Sequence, residues 1–380
     1  MLASISKTYA EHFSGEPIIV RSPGRINIIG EHTDYNEGFV LPAAIDKAIY
    51  VGIGKRADDA IHLYAVSFQE KFTVQIADRQ PQKHWSTYIL GVVDQLISRG
   101  YAIGGFNLVL DGDVPLGAGL SSSAAVECAA VFALNELFEL GIGKLEMVQI
   151  AQKAEHTYSG LMCGIMDMFA SMFGKKDYVI KLDCRSLVYA YEPLKLDGYK
   201  LVLFNTNVKH SLASSAYNTR RQECEQGVAW VKEKYPAVQS LRDVSMAMLN
   251  EQVAHRDAVV YDRCRFIVEE IQRLLDSCDD LEKGDIVALG RRMYETHEGL
   301  SKAYEVSCTE LDFLIDAVKS NPNVLGARMM GGGFGGCTIN IIEENAVASI
   351  IDTLSVQYKN ATGLELSTYA VHISNGTERL

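Results

Sequence analysis

A glycine- and serine-rich loop between a predicted strand and a predicted helix constrains the fold of this chain more than any other feature. The loop opens the segment PLGAGLSSSAAVE, residues 115–127. Before it, residues 105–115 read GFNLVLDGDVP and predict a strand. After it, residues 121–140 place apolar side chains along one helical face. This order predicts a mixed α/β domain in the first half of the chain.

The loop has the chemistry of an anion site. The first N–H groups of a helix have no partner within it and lie at the positive end of its dipole, so an anion gains several hydrogen bonds there. Gly117 and Gly119 let the backbone approach a phosphate, and a serine hydroxyl can reach a divalent metal. An ordinary serine cap of the helix is the alternative, and the residues of the loop alone leave both open.

A second cluster of polar side chains lies in GRINIIGEHTDYNEG, residues 24–38. Arg25, Glu31, His32 and Asp34 lie between glycines, and we expect them on a tight turn. Carboxylates and a histidine this close suit the adjacent hydroxyls of a polyol. A metal site and a solvated polar turn are the alternatives.

Two further segments carry candidate groups. In residues 154–171, Glu155 lies on a predicted helix, and Asp167 has apolar neighbours that predict an arginine partner. A helix cap or turn is the simpler interpretation of Asp167. The glycine cluster MGGGFGG, residues 330–336, precedes an apolar strand, which favours close packing against a loop or ligand over a flexible hairpin.

Composition excludes several classes of protein. The formal charge of −12, without a long basic run, disfavours nucleic acid as a partner. The chain has no apolar run of membrane-spanning length, and its first residues lack the apolar core of a signal peptide, so we expect a cytoplasmic protein. No two of the eight cysteines form a CxxC pair, which argues against a zinc knuckle. A mixed first half and a helical second half predict two domains joined near residues 190–200.

The motifs together resemble those of one family. GRINIIGEHTDYN is similar to the sugar-binding stretch of galactokinases, and PLGAGLSSSAAVE is similar to the ATP loop of the wider GHMP kinases. CGIMD and RMMGGGFGG are similar to the remaining galactokinase segments, in the same order and spacing. The resemblance implies an α+β, two-domain GHMP kinase fold. Its N-terminal mixed α/β domain would span residues 1–190 and its ferredoxin-like C-terminal domain residues 191–380, with the active site in the cleft between them.

The resemblance also implies a role for individual residues. Arg25 and Asp167 would be catalytic. The sugar would be bound by Arg25, Glu31, His32, Asp34, Gly164, Asp167 and Tyr217. ATP would be bound by Trp85, Tyr88, Gly117, Ala118, Gly119, Leu120, Ser121, Ser122 and Ser123. Mg²⁺ would be held by Ser123 and Glu155. An aromatic side chain of the hydrophobic core is an equally good interpretation of Trp85.

The implied reaction is transfer of the γ-phosphoryl group of ATP to the anomeric hydroxyl of D-galactose, which opens galactose catabolism by the Leloir pathway. The expected partners are the sugar and ATP, with no nucleic acid or membrane, and the expected state is a monomer or weak homo-oligomer. Met168 and Met330 replace polar residues usual in the family. A kinase for N-acetylgalactosamine or a pentose is one alternative, and a non-catalytic galactose sensor is another, which the uninterrupted serine loop disfavours.

Overall fold

Thirteen strands form three sheets within residues 1–208 and 213–380, the residues that the computed structural model describes. The strands are β1 (Ile18–Asn27), β2 (Phe39–Val40), β3 (Pro42–Lys55), β4 (Ala60–Ala65), β5 (Glu70–Gln75), β6 (Phe106–Gly112), β7 (Tyr178–Asp183), β8 (Tyr189–Pro193), β9 (Tyr199–Asn205), β10 (Val324–Met329), β11 (Cys337–Glu343), β12 (Ser367–Val371) and β13 (Glu378–Arg379).

Eleven α-helices accompany these strands in the described residues. They are α1 (Leu2–His12), α2 (Ser86–Ser98), α3 (Ser122–Phe138), α4 (Lys144–Ala154), α5 (Met166–Phe173), α6 (Ala213–Lys234), α7 (Met246–Gln252), α8 (Ala258–Glu282), α9 (Ile286–Glu298), α10 (Thr309–Lys319) and α11 (Val347–Thr362). No helix in residues 1–208 or 213–380 combines the length and the apolar character needed to cross a membrane.

The largest sheet has the strand order β13-β1-β3-β6-β4-β5, and all its pairs are antiparallel except β4 with β6. Helices α3 and α5 pack against β1 and β3, with α2 and α4 beyond them. Helix α1 covers the other face of the sheet with Ile5 and Tyr9. The sequence did not predict this helix. Strands β1, β3 and β6 are buried over most of their length, and their apolar side chains contribute to the core.

The second sheet has the ferredoxin-like topology. Its strand order is β10-β11-β9-β12, and the chain runs from β9 through helices to the β10–β11 hairpin, then through α11 to β12. A third sheet is formed by β2, β7 and β8. The predicted α+β class, with a mixed N-terminal part and a ferredoxin-like C-terminal sheet, is thereby confirmed. The boundary between 190 and 191 stays a prediction, and the last strand, Glu378–Arg379, pairs with β1 of the first sheet.

A bulge in β1 brings the sheet to the serine loop. The pairing of β1 with β3 shifts register between Pro23 and Arg25. Any β-carbon on Gly24 would lie 2.7 Å from the carbonyl oxygen of Leu120, so only glycine fits this approach. The Arg25 N–H then donates to that same carbonyl at 3.1 Å. Arg25 therefore lies on a strand, and the prediction that it shares the tight turn of residues 31–34 was wrong.

Candidate active site

Two cavities adjoin beside the serine loop. The larger, about 880 Å³, lies between the loop, the start of α3 and the segment before α2. The smaller, about 510 Å³, lies between the Glu31–Asp34 turn, the start of α5 and the glycine cluster. Tyr88 and Gly117 line both cavities. The two segments singled out in the sequence therefore face a shared space.

Arg25 and Asp167 form the centre of this junction. The Arg25 guanidinium donates to both carboxylate oxygens of Asp167, at 2.8 and 3.0 Å, in a bidentate pair. Its third contact is to the carbonyl oxygen of Gly119, at 2.6 Å. Arg25 is only 4% exposed, whereas Asp167 is 27% exposed at the cavity. The predicted arginine partner of Asp167 is thus present, and the pair presents a carboxylate to the smaller cavity.

Ser121 supports Asp167 rather than the end of its own helix. The Ser121 hydroxyl donates to Asp167 Oδ2 at 2.5 Å, and its backbone takes a left-handed conformation with φ of +58°. This conformation is strained for a residue with a side chain. No side chain among the described residues caps α3. Its first N–H groups therefore remain available for an anion, as the phosphate interpretation of the loop requires.

The remaining loop residues divide between two environments. Gly117, Ser122 and Ser123 line the larger cavity. Ala118 and Leu120 are buried, so their side chains serve the core. The structure therefore places only part of the predicted ATP loop at the cavity surface.

His32 presents an uncommitted ring nitrogen within the smaller cavity. Its Nδ1 is 2.7 Å from the Tyr35 hydroxyl, which in turn lies 2.7 Å from the Tyr304 hydroxyl. Its Nε2 is buried and has no hydrogen-bond partner among the described residues. Burial lowers the pKa of His32 to about 3, so the ring is neutral at neutral pH. Tyr217 flanks it, with ring centroids 5.1 Å apart.

Asp34 is held against a glycine of the α5 loop. It accepts the Tyr35 N–H at 3.0 Å, and a β-carbon on Gly164 would lie 1.8 Å from its Oδ2. Burial, and then the negative charge of Asp167, raise the pKa of Asp34 to about 6. The absence of a side chain at Gly164 is therefore what makes room for the Asp34 carboxylate in the cavity.

Glu31 lines the same cavity, and its carboxylate accepts three hydrogen bonds from the protein. Its Oε1 accepts from Arg328 at 3.0 Å and from the Gly331 N–H at 2.8 Å, and its Oε2 accepts from Asn27. Glu31 and Arg328 are 1% and 0% exposed, so this ion pair is buried. Glu31 thus links the turn to strand β10, the first strand of the glycine-cluster hairpin.

The two predicted adenine residues line the larger cavity. The Trp85 indole N–H donates to Glu70 Oε2 at 2.9 Å, which fixes the ring at the cavity wall. Burial, then the charges of Glu155 and Glu127, raise the pKa of Tyr88 to about 12. Tyr88 stands where the two cavities meet.

Two buried carboxylates lie beside each other near Tyr88, where the two cavities meet. Glu155 is 3% exposed in a π-helical turn after α4, its Oε1 accepts the Ser159 hydroxyl at 2.7 Å, and its Oε2 has no described partner. Glu127 is 0% exposed, and in the described residues neither of its oxygens accepts a hydrogen bond from an N–H or hydroxyl group. Buried carboxylates in this state need a cation or a proton. The residues present therefore fit a divalent ion, although three acidic, histidine or cysteine side chains do not converge anywhere in the described residues.

The two methionine departures lie outside both cavities. Met168 and Met330 are each 1% exposed. The Met330 sulfur lies 3.5 Å from the Asn27 N–H, and Asp167 is held by Arg25 and Ser121. Both methionine side chains therefore pack in the core beside the site.

The sequence reasoning missed several residues of the site. Tyr35 lies inside the quoted polar segment, and its place directly after the candidate Asp34 was the available signal. Arg328 was noted only as the neighbour of a departure from the family pattern. Tyr304 carried no local signal, because it reaches the site only through the tertiary fold.

Comparisons with known proteins confirm the predicted GHMP kinase fold. Residues 7–55 match the galactokinase galactose-binding signature, residues 87–175 the GHMP kinases N-terminal domain and residues 277–360 the GHMP kinases C-terminal domain. A galactokinase of Thermotoga maritima is 40% identical over 95% of this chain and 99% of its own length. One from Roseiflexus is 38% identical over 99% and 96%.

Solved structures give the same relation. The galactokinase of Lactococcus lactis, crystallised with galactose, superimposes with a TM-score of 0.95 at 34% identity, covering 100% of both chains. A mevalonate kinase of Methanococcus jannaschii, at 16% identity and a TM-score of 0.65, shares the fold over 95% of this chain and 99% of its own.

Proposed function

Since this chain belongs to the galactokinase family of the GHMP kinases, we propose that it transfers the γ-phosphoryl group of ATP to the anomeric hydroxyl of D-galactose, giving galactose 1-phosphate and ADP. The observation that carries this proposal is the bidentate Arg25–Asp167 pair at the junction of the two cavities. A guanidinium and a carboxylate at such a junction can act on a phosphoryl group from one side and a hydroxyl from the other.

Phosphoryl transfer depends on alignment and on charge stabilisation more than on covalent catalysis. Arg25 offsets the negative charge of the moving group, since its guanidinium is held rigidly by Asp167 and the Gly119 carbonyl. Asp167 orients the sugar hydroxyl and accepts its proton as the new P–O bond forms. Ser121 keeps the Asp167 carboxylate in place.

The smaller cavity would hold the sugar. The neutral Nε2 of His32 and the carboxylate of Asp34 offer partners to sugar hydroxyls, and the Gly164 backbone and Tyr217 ring complete the wall. The Glu31 carboxylate, held by Arg328 and the Gly331 N–H, would accept from a sugar hydroxyl as well. It also sets the position of the turn.

The larger cavity would hold ATP. Its nucleoside would lie along Trp85 and Tyr88, and its phosphates would face the uncapped start of α3 at Gly117, Ser122 and Ser123. Three further residues hold the loop in this shape. The Gly119 carbonyl accepts from the Arg25 side chain, the Leu120 carbonyl accepts from the Arg25 N–H on β1, and Ala118 is buried.

Ser123 and Glu155 would hold a Mg²⁺ ion beside the phosphates. A bound Mg²⁺ ion neutralises phosphate charge during such a transfer. The uncommitted Oε2 of Glu155 supports this assignment. The cytoplasmic location and the monomeric or weakly associated state stay predictions.

Galactose-dependent release of ADP tests the proposal. A coupled assay should show ADP formation with D-galactose and little with D-glucose, and phosphorus NMR should show an anomeric phosphate. N-acetylgalactosamine and pentoses serve as comparison sugars. Binding of galactose without ADP release would instead support a sensor, and faster turnover of another sugar would contradict the stated substrate.

A further inference from the structure

The most unusual buried group outside the proposed assignments is Glu127. It lies on α3 and is 0% exposed; neither carboxylate oxygen accepts a hydrogen bond from an N–H or hydroxyl group in the described residues, and its polar neighbour is the carboxyl group of Glu155. Buried acidic side chains are normally paired, because moving an isolated carboxylate from water into the protein interior costs roughly several kcal/mol of folding free energy. Neither the Arg25–Asp167 pair nor the sugar cavity uses Glu127.

Glu127 lies on the same face of α3 as Ser123. The two residues are separated by one helical turn, so their side chains neighbour each other along the helix. Ser123 lines the larger cavity, and Glu127 is one turn deeper. Glu127 therefore lies beneath the place where the phosphates would enter the uncapped helix start.

Glu155 lies beside Glu127 on the opposite side of this space. The Glu127 and Glu155 side chains lie close enough to hydrogen-bond to each other, and both lie near Tyr88 at the cavity junction. Glu155 also has an oxygen without a partner. In the described residues neither acid accepts a hydrogen bond from a cationic side chain, and Glu127 lies one helical turn from Ser123, which lines a cavity suited to a nucleotide.

We propose that Glu127 is a third protein group of the divalent-cation site, acting with Ser123 and Glu155 on the metal that accompanies the nucleotide. The contact is made by the carboxylate itself or through one metal-bound water, as Mg²⁺ commonly retains part of its water shell. This inference rests on the proposed use of Mg²⁺ and ATP. In this role Glu127 makes the affinity for the nucleotide depend more strongly on the metal.

The test is the ratio of ADP affinities with and without Mg²⁺, measured by titration calorimetry for the wild type and for Glu127→Gln. Loss of a carboxylate near a metal commonly lowers metal affinity about 10- to 100-fold, so the ratio should fall by at least about tenfold. Metal-free ADP affinity and galactose affinity should stay near those of the wild type. Glu136→Gln, near the other end of α3 and 29% exposed, is the matched control and should keep the full ratio.

An unchanged ratio in a Glu127→Gln protein that still binds galactose would overturn the proposal. Should that variant fail to bind galactose, crystals of the wild type with Mn²⁺ and ADP decide the question by anomalous scattering. An ion within about 5 Å of a Glu127 oxygen, the reach of one bridging water, supports it, and a more distant ion overturns it. Failure of the proposed function is seen separately, as wild-type protein that binds metal and ADP but releases no ADP with galactose.

Discussion

The Asp167 side chain is the most direct point at which to test catalysis. Asp167→Asn keeps the shape of the side chain and removes the charge that pairs with Arg25. We expect kcat to fall at least about 10³-fold, within the range of losses for a positioned acid–base group. Because the His32 and Asp34 contacts remain, galactose affinity should change by less than about fivefold, which equals about 1 kcal/mol.

The matched control for this variant is Asp197→Asn, because Asp197 is exposed. Coupled assays and galactose titrations on both variants give the comparison. Near-normal turnover in Asp167→Asn, or equal losses in the two variants, would refute the role assigned to Asp167.

Asp34 predicts a pH-dependent stability. Its pKa in the folded protein is about 6 against an ordinary value of 3.8, so the folded state binds this proton more tightly than the unfolded chain does. Stability therefore falls as the pH rises through this interval, and the full cost is present above it. Asp34→Asn should stabilise the sugar-free protein at about pH 8 by about 1–3 kcal/mol, with a smaller gain at about pH 5.

Denaturant unfolding at the two pH values measures this effect. The same gain at both values, or a loss of stability at about pH 8, would show that Asp34 does not carry the buried charge. The same variant should bind galactose more weakly, because an acceptor carboxylate has been replaced by an amide.

At the residue scale, the sequence predicted the ionic partner of a side chain only where the chemistry of that side chain required one type of residue. Asp167 needed a cation, and Arg25 supplies it. The partner of Glu31 could not be predicted, because Arg328 lies 297 residues away and meets it only when strand β10 packs beside the turn.

At the scale of elements, the short loop before α5 determines the shape of the sugar cavity. Gly164→Ala would place a β-carbon 1.8 Å from Asp34 Oδ2, so either the loop or the carboxylate must move. We expect galactose affinity to fall at least about tenfold, equivalent to about 1.4 kcal/mol, with ADP affinity nearly unchanged. Titration of each ligand checks this.

Gly104→Ala is the control for the loop, since its β-carbon would meet only Phe138, at an ordinary 3.6 Å. Equal galactose affinity in the wild type and Gly164→Ala would contradict the proposed placement of the sugar.

Element prediction succeeded where periodicity was long and failed where tertiary contacts dominate. The helix predicted over residues 121–140 is α3, Ser122–Phe138, and the strand before the loop is β6. The predicted helix that carries Glu155 is regular only to Ala154, after which the chain widens into a π-helical turn at Glu155. This turn carries the buried Glu155, and sequence periodicity does not report such a local widening.

At the scale of the whole molecule, the Glu31–Arg328 pair joins the first sheet to the second. Arg328 donates to Glu31 and to the carbonyl oxygens of Ile28, Met329 and Asn27, all in the interior. Arg328→Leu leaves the Glu31 charge buried without its cation, which typically costs about 3–5 kcal/mol. Chemical denaturation should show this loss of stability.

A double variant tests whether the pair or the packing is responsible. Replacing Glu31 and Arg328 together with leucine removes both charges, so it should be less destabilising than Arg328→Leu alone. Costs that simply add would contradict a direct interaction between the two charges.

The two-domain fold was predictable because the motifs of one family span most of the chain, whereas periodicity alone indicated only a mixed first half and a helical second half. The return of the C-terminus to the first sheet was not predictable. That strand has two residues, Glu378 and Arg379, and its pairing with β1 depends on the position of the whole second domain.

A crystal structure with D-galactose and a non-hydrolysable ATP analogue tests the central claim most directly, namely that the two cavities form one reaction site. The account predicts the sugar in the smaller cavity, with its anomeric oxygen within hydrogen-bond reach of Asp167 and about 3–3.5 Å from the γ-phosphorus position. A sugar bound elsewhere, or an anomeric oxygen directed away from the phosphates, would contradict it.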